Sequence, residues 1–333
     1  MFATLKHVTQ WTKRRRIQFR RKLAEAELEM SSTRVADNSD VTDVPVIYHY
    51  TDPRGLIGIL SDGQLWATDI GYLNDSSELR HAEEVQRQLL GEIILESPDG
   101  SLQRKLATKA LEGRHPFKGE ETYVVCFCAE DDLLTQWKTY GSWGSGFSIG
   151  FDRKKLESSL AALGPPPPSL WTDIFVMGTG AEVSLARVRY SEEEQRRDLK
   201  RAFDRYGDLL SAGSSASEIA ECAAAIADNA ALSASRFKHP AFESEREWRI
   251  VISSSLGSRL ELFFRSSSRT VIPYIKTKRQ PDGKLPVVSI TIGPTLDQRL
   301  SERSVFALLM ARGYFGHGDV EIKTSRVPLT RTD

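Results

Sequence analysis

The sequence is short of several things, and each shortage narrows what the protein can be. Three cysteines, Cys126, Cys128 and Cys222, are an odd set with no paired framework, which argues against a disulfide-stapled secreted scaffold and for a reducing, cytoplasmic compartment. Charge of one sign is not in excess: 45 Lys plus Arg meet 45 Asp plus Glu, so any pull toward nucleic acid or an anionic membrane must come from a local cluster. No apolar run approaches the ~20 residues of a membrane helix. Cys126 and Cys128 alternate within Tyr123-Val124-Val125-Cys126-Phe127-Cys128, which reads as a buried strand. No second Cys pair or His cluster completes a metal site, and no Ser-His-Asp signature is present, so neither metal nor triad chemistry is expected.

What is present divides the 333 residues into three expected parts: a basic helical arm over 1–30, a polar linker over 31–45, and one catalytic or nucleotide-binding domain over 46–333. Residues 1–24 hold eight Lys or Arg and no acid, with no apolar core behind them, so they do not read as a secretory signal. Glu25, Glu27 and Glu29 continue the segment as a helix. It reads as a solvated face, or as a patch for nucleic acid, a membrane surface or a partner.

Beyond the linker, Val46-Ile47-Tyr48-His49-Tyr50 is β-branched and aromatic enough for a strand. Asp52 then caps a helix with Pro53 at its first position, Leu56, Ile57 and Leu60 on the buried face, and Gly63 at its end. A helix is expected from Asn74-Asp75 through Leu89, a strand at 123–128, a short helix carrying Leu133 to Tyr140, and a strand at 147–151. The glycines at 141, 144 and 146 read as a loosened turn, and Pro165 to Pro168 as an extended connection. A strand at 182–190, two helices over 191–236, strands at 247–253, 271–275 and 287–292, a helix at 305–312 and a strand at 320–323 complete the pattern. Without regular βαβ alternation this is an α+β fold, a mixed, mainly antiparallel sheet with flanking helices.

Chemistry can reside in three places. His49 ends a strand just before a helix start, where a neutral imidazole can hydrogen-bond a ribose hydroxyl or phosphate oxygen; alternatively it satisfies core polar groups. In Asn74-Asp75-Ser76-Ser77-Glu78, Asp75 and Glu78 make a capping box, and Asn74 is left to present its amide to a site. A regular strand from residue 243 puts Glu243, Glu245, Glu247 and Arg249 on one face, either as a structural ion pair or as carboxylates that stabilise an oxocarbenium ion or bind a ribose hydroxyl. Trp137 and Tyr140 supply aromatic surface, as core or as ligand platform.

These segments together resemble the bacterial family known as domain of unknown function 2971. The resemblance rests on Tyr48-His49-Tyr50-Thr51, Leu73-Asn74-Asp75 with Glu78, Cys126-Phe127-Cys128, Trp137 and Tyr140, Gly146 and Gly150-Phe151, Phe237-Lys238-His239-Pro240, Glu245, Glu247-Trp248-Arg249, Ile292-Gly293-Pro294 and Ser325-Arg326-Val327-Pro328, and spans roughly residues 47–328. More distantly, Tyr48-His49-Tyr50-Thr51 with Leu56, Ile57, Ile59-Leu60 and Gly63 resembles the first motif of ADP-ribosyltransferase-like proteins. That likeness implies an ADP-ribosyltransferase-like fold and NAD as substrate, with His49, Tyr50, Thr51, Asn74, Trp137, Tyr140 and Arg249 on the binding side and Glu247 or Glu245 catalytic. It further implies a nucleic-acid or protein acceptor and a role as toxin or phage-defence effector. The alternatives are an RNA 2′-phosphotransferase-like enzyme and a non-catalytic nucleotide sensor.

Overall fold

The computed structural model describes residues 14–30, 44–73, 77–113, 120–161, 181–255, 260–267, 270–280, 282–314 and 320–329. Asn74, Asp75, the linker residues 31–43 and Pro165 to Pro168 lie outside these, as does the side chain of Glu78. In chain order the helices are α1 (14–30), α2 (Pro53–Asp62), α3 (Ser77–Glu96), α4 (Leu102–Glu112), α5 (Leu134–Thr139), α6 (Arg153–Ala161), α7 (Glu192–Gly207), α8 (Ala216–Ala234) and α9 (Gln298–Ala311). The strands are β1 (Val46–Thr51), β2 (Trp66–Asp69), β3 (Glu120–Cys128), β4 (Phe147–Asp152), β5 (Ala181–Arg187), β6 (Glu247–Ser255), β7 (Phe263–Ser266), β8 (Val271–Lys276), β9 (Val287–Ile292) and β10 (Glu321–Thr324).

These elements fall into two compact units. One is helical and built from Met1–Asp40, Ser77–Gly119 and Arg189–His239; the other holds every described strand. The stretch from residue 46 onward, read from the sequence as one continuous domain, is thus interrupted twice by segments that join the helical unit.

In the helical unit, α1 is more than a charged arm. Phe19, Ala26 and Met30 are buried, with Leu23 packed beside them, against Leu90, Leu106, Phe203, Tyr206 and Ile226. The spacing 19, 23, 26, 30 is one helical stripe, and the density of arginines around it hides it in the sequence. Arg15 reaches Glu218 at 3.4 Å, Arg20 reaches Glu221 at 3.4 Å, and Glu29 takes Arg205 at 2.6 Å. Exposed pairs of this kind contribute about 0–1 kcal/mol each, whereas a buried Phe contributes roughly 1.5–3, so the stripe holds the helix and the charges orient it. Within the same unit α8 opens with a capping box, in which Ser215 and Glu218 satisfy each other's backbone amides.

The second unit is a ten-stranded sheet in the order β10-β9-β4-β1-β3-β2-β8-β7, with β6 also along β3 and β5 beyond β6. Among the pairings of the described strands, only β9 with β10 is parallel. The α+β architecture with a mixed, mainly antiparallel sheet is therefore the fold. One face of the sheet forms the apolar core, where Ile47, Tyr123, Val125, Phe127, Trp248, Ile250 and Ile275 meet Leu56 and Leu60 of α2 and Val305 and Leu309 of α9. The alternation in β6 follows from the two-residue period of a strand: Trp248 and Ile250 enter that core, and Glu247 and Arg249 face the other way. At the start of α2 the Asp52 carboxylate accepts from Gly55 N at 2.6 Å, and Gly63 ends the helix at φ 62°. Asp52 thus satisfies one of the amides left open at this helix start.

Candidate functional site

The sheet forks at β3. Along one edge β3 pairs with β6 over its full length, from Glu120↔Ser255 to Cys128↔Glu247. The opposite edge is shared: Thr68 and Asp69 of β2 pair with Val124 and Tyr123, and Tyr48 of β1 pairs with Cys128. Cys126 lies between, and its carbonyl bonds the His49 ring at Nδ1, 2.8 Å away. A carbonyl only accepts, so Nδ1 carries the hydrogen and Nε2 is left as an acceptor. Burial lowers the His49 pKa, and the bond to Cys126 offsets only part of that, so the imidazole is neutral at pH 7.

A cleft opens at this fork. Strand β1 lines it with Tyr48, His49 and Tyr50, β3 with Cys126 and Phe127, α5 with Gln136, and the residue that caps α5 with the Tyr140 ring; Glu245 and Glu247 complete it. Its cavity volume is about 50 Å³, room for a few waters or one small ring.

Two carboxylates reach the cleft by different routes. Strand β6 begins only at Glu247, and residues Pro240–Glu245 form a 3₁₀ turn, so the regular strand expected from residue 243 does not exist and Glu243 is exposed. Arg246 has φ 46°, and this left-handed residue swings Glu245 into the same cleft as Glu247. Arg249 grips Glu247 with two bonds, Nε to Oε1 at 2.6 Å and Nη2 to Oε2 at 3.0 Å, both side chains being buried. This fork-on-fork pairing fixes the Glu247 carboxylate in direction. Arg249 stands behind the carboxylate and does not line the cleft.

The supporting groups follow from the same geometry. The Tyr50 hydroxyl donates to Glu130 O and accepts from Leu133 N, both at 2.9 Å, which fixes the loop leading into α5. Burial pushes the Tyr50 pKa far up, so the hydroxyl stays neutral. Trp137 is fully buried, edge-on to Tyr50 with centroids 4.8 Å apart, and donates Nε1 to Asp132 at 2.7 Å. It is a core residue that orients α5 and not a wall of the cleft. Thr51 packs its hydroxyl against Gly55, away from the cleft. The glycines after Tyr140 mark close approach more than looseness: a Cβ on Gly141 would lie 3.0 Å from Trp137 Cα, and one on Gly146 would overlap the Thr51 carbonyl.

His49, Tyr50, Tyr140, Glu245 and Glu247, picked out in the sequence, thus converge, whereas Thr51, Trp137 and Arg249 support from outside and Asn74 lies beyond the described residues. Tyr48, Cys126, Phe127 and Gln136 were not foreseen as lining residues, although the two-residue period of β3 and the place of Gln136 beside Trp137 carried that information.

Fold and cleft define an α+β protein with histidine, tyrosine and paired glutamates gathered where its sheet divides. The model of the family described as "Protein of unknown function (DUF2971)" matches residues 136–250, the span that carries Gln136, Tyr140, Glu245 and Glu247, and bears out the family resemblance drawn from the sequence. No curated protein and no solved structure matches the chain.

Proposed function

We propose that the cleft is the reacting end of an NAD-consuming, ADP-ribosyltransferase-like site. The observation that carries this reading is the convergence of His49, Tyr140, Glu245 and Glu247 from three separate places in the chain on one small cleft. Cleavage of the nicotinamide–ribose bond develops positive charge on the ribose, and a fixed, ionised carboxylate in a water-poor site stabilises that charge. Glu247, held by Arg249, suits that role; because its charge is already shared with a guanidinium it is a poor proton acceptor. Glu245, half-buried at the rim, is then the group to take the acceptor's proton. His49 Nε2 accepts from a ribose hydroxyl, and the Tyr140 ring gives a face for the nicotinamide. A volume near 50 Å³ admits one ring or sugar edge, so the remainder of the dinucleotide lies outside the enclosed part.

Release of nicotinamide from NAD by the full chain, with nucleic-acid and protein acceptors supplied, tests the reading. Glu245→Gln and Glu247→Gln should each lower release, the latter by roughly 100-fold or more, with the circular dichroism spectrum retained. An absence of release across all acceptors, or full activity in Glu247→Gln, would sink it. One observation favours a second reading: the tight Arg249 grip on Glu247 also suits a nucleotide sensor that binds without turnover. Calorimetric NAD binding with no product formed would support the sensor. As an enzyme, the protein has toxin or phage-defence activity as its proposed biology, and growth arrest on expression that Glu247→Gln relieves is the corresponding check.

A further inference from the structure

On the sheet face that carries Glu247 and Arg249, a row of three aromatic rings runs across β2, β8 and β7. The registers Trp66↔Lys276, Thr68↔Tyr274 and Phe263↔Tyr274 place these side chains on one face. Trp66 stacks on Tyr274 with centroids 4.5 Å apart and planes at 21°, and Phe263 stacks on Tyr274 at 5.7 Å and 28°. The Lys276 ammonium lies 5.7 Å from the Trp66 ring centre and 5.1 Å from that of Phe263. Tyr274 is buried, but none of the three rings joins the apolar cluster on the opposite face, and Trp66 is 42% exposed. A ring stack outside that cluster, open to solvent at Trp66 and flanked by cations, calls for another explanation.

The row also has an address. Because Thr68 pairs with Val124, stepping two residues along each strand brings Trp66 and Cys126 to the same face of neighbouring strands, and Cys126 lines the cleft. The aromatic row therefore starts beside the fork and leads away from it. Arg265, whose Nη2 reaches Thr68 Oγ1 at 3.2 Å, lies on the same face, and Lys276 and the exposed Lys278 extend the positive charge. Lys276 is also paired with Asp62 at 3.4 Å.

We infer that this row is a stacking platform for single-stranded nucleic acid, which holds two or three bases on Trp66 and Phe263, with phosphates on Lys276 and Arg265, and leads the strand to the cleft. Every base has a π-face, and flat aromatic surface interleaved with cations is the chemistry that binds single strands without reading sequence. A duplex, with its bases stacked inward, offers this surface only its phosphates. The acceptor class named here rests on the NAD reading of the cleft: a nucleophilic atom of the strand forms a bond to C1′ of the nicotinamide ribose. The C1′–nitrogen bond breaks, nicotinamide leaves with the electron pair, and the acceptor's proton passes to Glu245.

Fluorescence anisotropy of the full chain with labelled 15-nucleotide single strands of DNA and RNA, and with the matching duplexes, in the absence of NAD, tests the platform directly. Single strands should bind more tightly than duplexes. Trp66→Ala should raise Kd roughly 5- to 150-fold, and Trp66→Phe should restore most of the loss. Lys276→Gln should reduce the slope of log affinity against log salt by about 0.7. A melting curve for each variant separates lost binding from lost folding, and Phe263→Leu serves where Trp66→Ala melts early. No single-strand binding, equal affinity for duplexes, or affinity unchanged in both Trp66→Ala and Phe263→Leu would overturn the inference. Intact oligonucleotide binding without nicotinamide release would instead count against the NAD reading and leave the platform standing.

Discussion

The His49 ring gives its Nδ1 hydrogen to the Cys126 carbonyl at 2.8 Å, at the place where β1 and β2 part along the edge of β3. That bond fixes the imidazole in direction and leaves Nε2 as an acceptor. Burial lowers the proton affinity of this ring below its ordinary value of 6.5. Between the lowered folded value and 6.5 the unfolded chain binds the proton and the folded one does not. Stability from this group is therefore complete above pH 6.5 and is lost as pH falls from there toward the folded value. His49→Gln keeps an N–H for Cys126 but does not titrate. Melting temperatures measured between about pH 7.5 and about pH 5 should fall more steeply for the wild type than for His49→Gln. Parallel curves would show that His49 is not held neutral.

Glu247 and Arg249 make a second prediction. Both are buried and joined by two bonds, so removal of the guanidinium takes both of those bonds from a buried carboxylate. Arg249→Met should cost roughly 3–5 kcal/mol in urea unfolding. The double variant Glu247→Gln/Arg249→Met, in which both charges of the pair are absent, should recover part of that loss. A double variant less stable than Arg249→Met would mean that the pair is not energetically coupled.

Much of this arrangement was legible in the sequence where local chemistry decides it. Asp52, Pro53 and Gly63 bounded α2 because capping is local, and the β-branched and aromatic run at 46–50 formed β1 for the same reason. His49, Tyr140 and Glu247 could be picked out by residue type and family pattern, but which of their neighbours face the cleft is set by a fork between strands distant in the chain. The single left-handed residue Arg246 broke the assumed period over 243–249, and no composition signal marks a positive φ at an arginine. The Trp66–Tyr274–Phe263 row was invisible because Trp66 of β2 lies far along the chain from Tyr274 and Phe263. In α1 the stripe of Phe19, Leu23, Ala26 and Met30 was present but outweighed by arginines, which draw a reading toward a solvated arm.

Asp132 is the joint on which the α5 side of the cleft depends. Its carboxylate accepts from Trp137 Nε1 at 2.7 Å, from Ser325 Oγ at 2.5 Å and from the Arg326 amide at 2.7 Å. One oxygen thus meets the helix that presents Gln136 and Tyr140, and both oxygens meet the segment that follows β10. Asp132→Ala removes the acceptor for the buried Trp137 donor, which by itself costs roughly 1–3 kcal/mol, whereas Ser325→Ala removes one donor of three and should cost about 1 or less. The expected local signature is faster amide exchange in α5 for Asp132→Ala, beyond any change in the strands of the core, because the helix has only six residues and makes few hydrogen bonds of its own. Uniform acceleration across β1, β3 and α5 would mean that Asp132 supports the sheet unit as a whole. Protection in α5 equal to the wild type would mean that Trp137 is held by packing against Tyr50 alone. Only selective loosening of α5 identifies Asp132 as the residue that positions Gln136 and Tyr140 over the cleft.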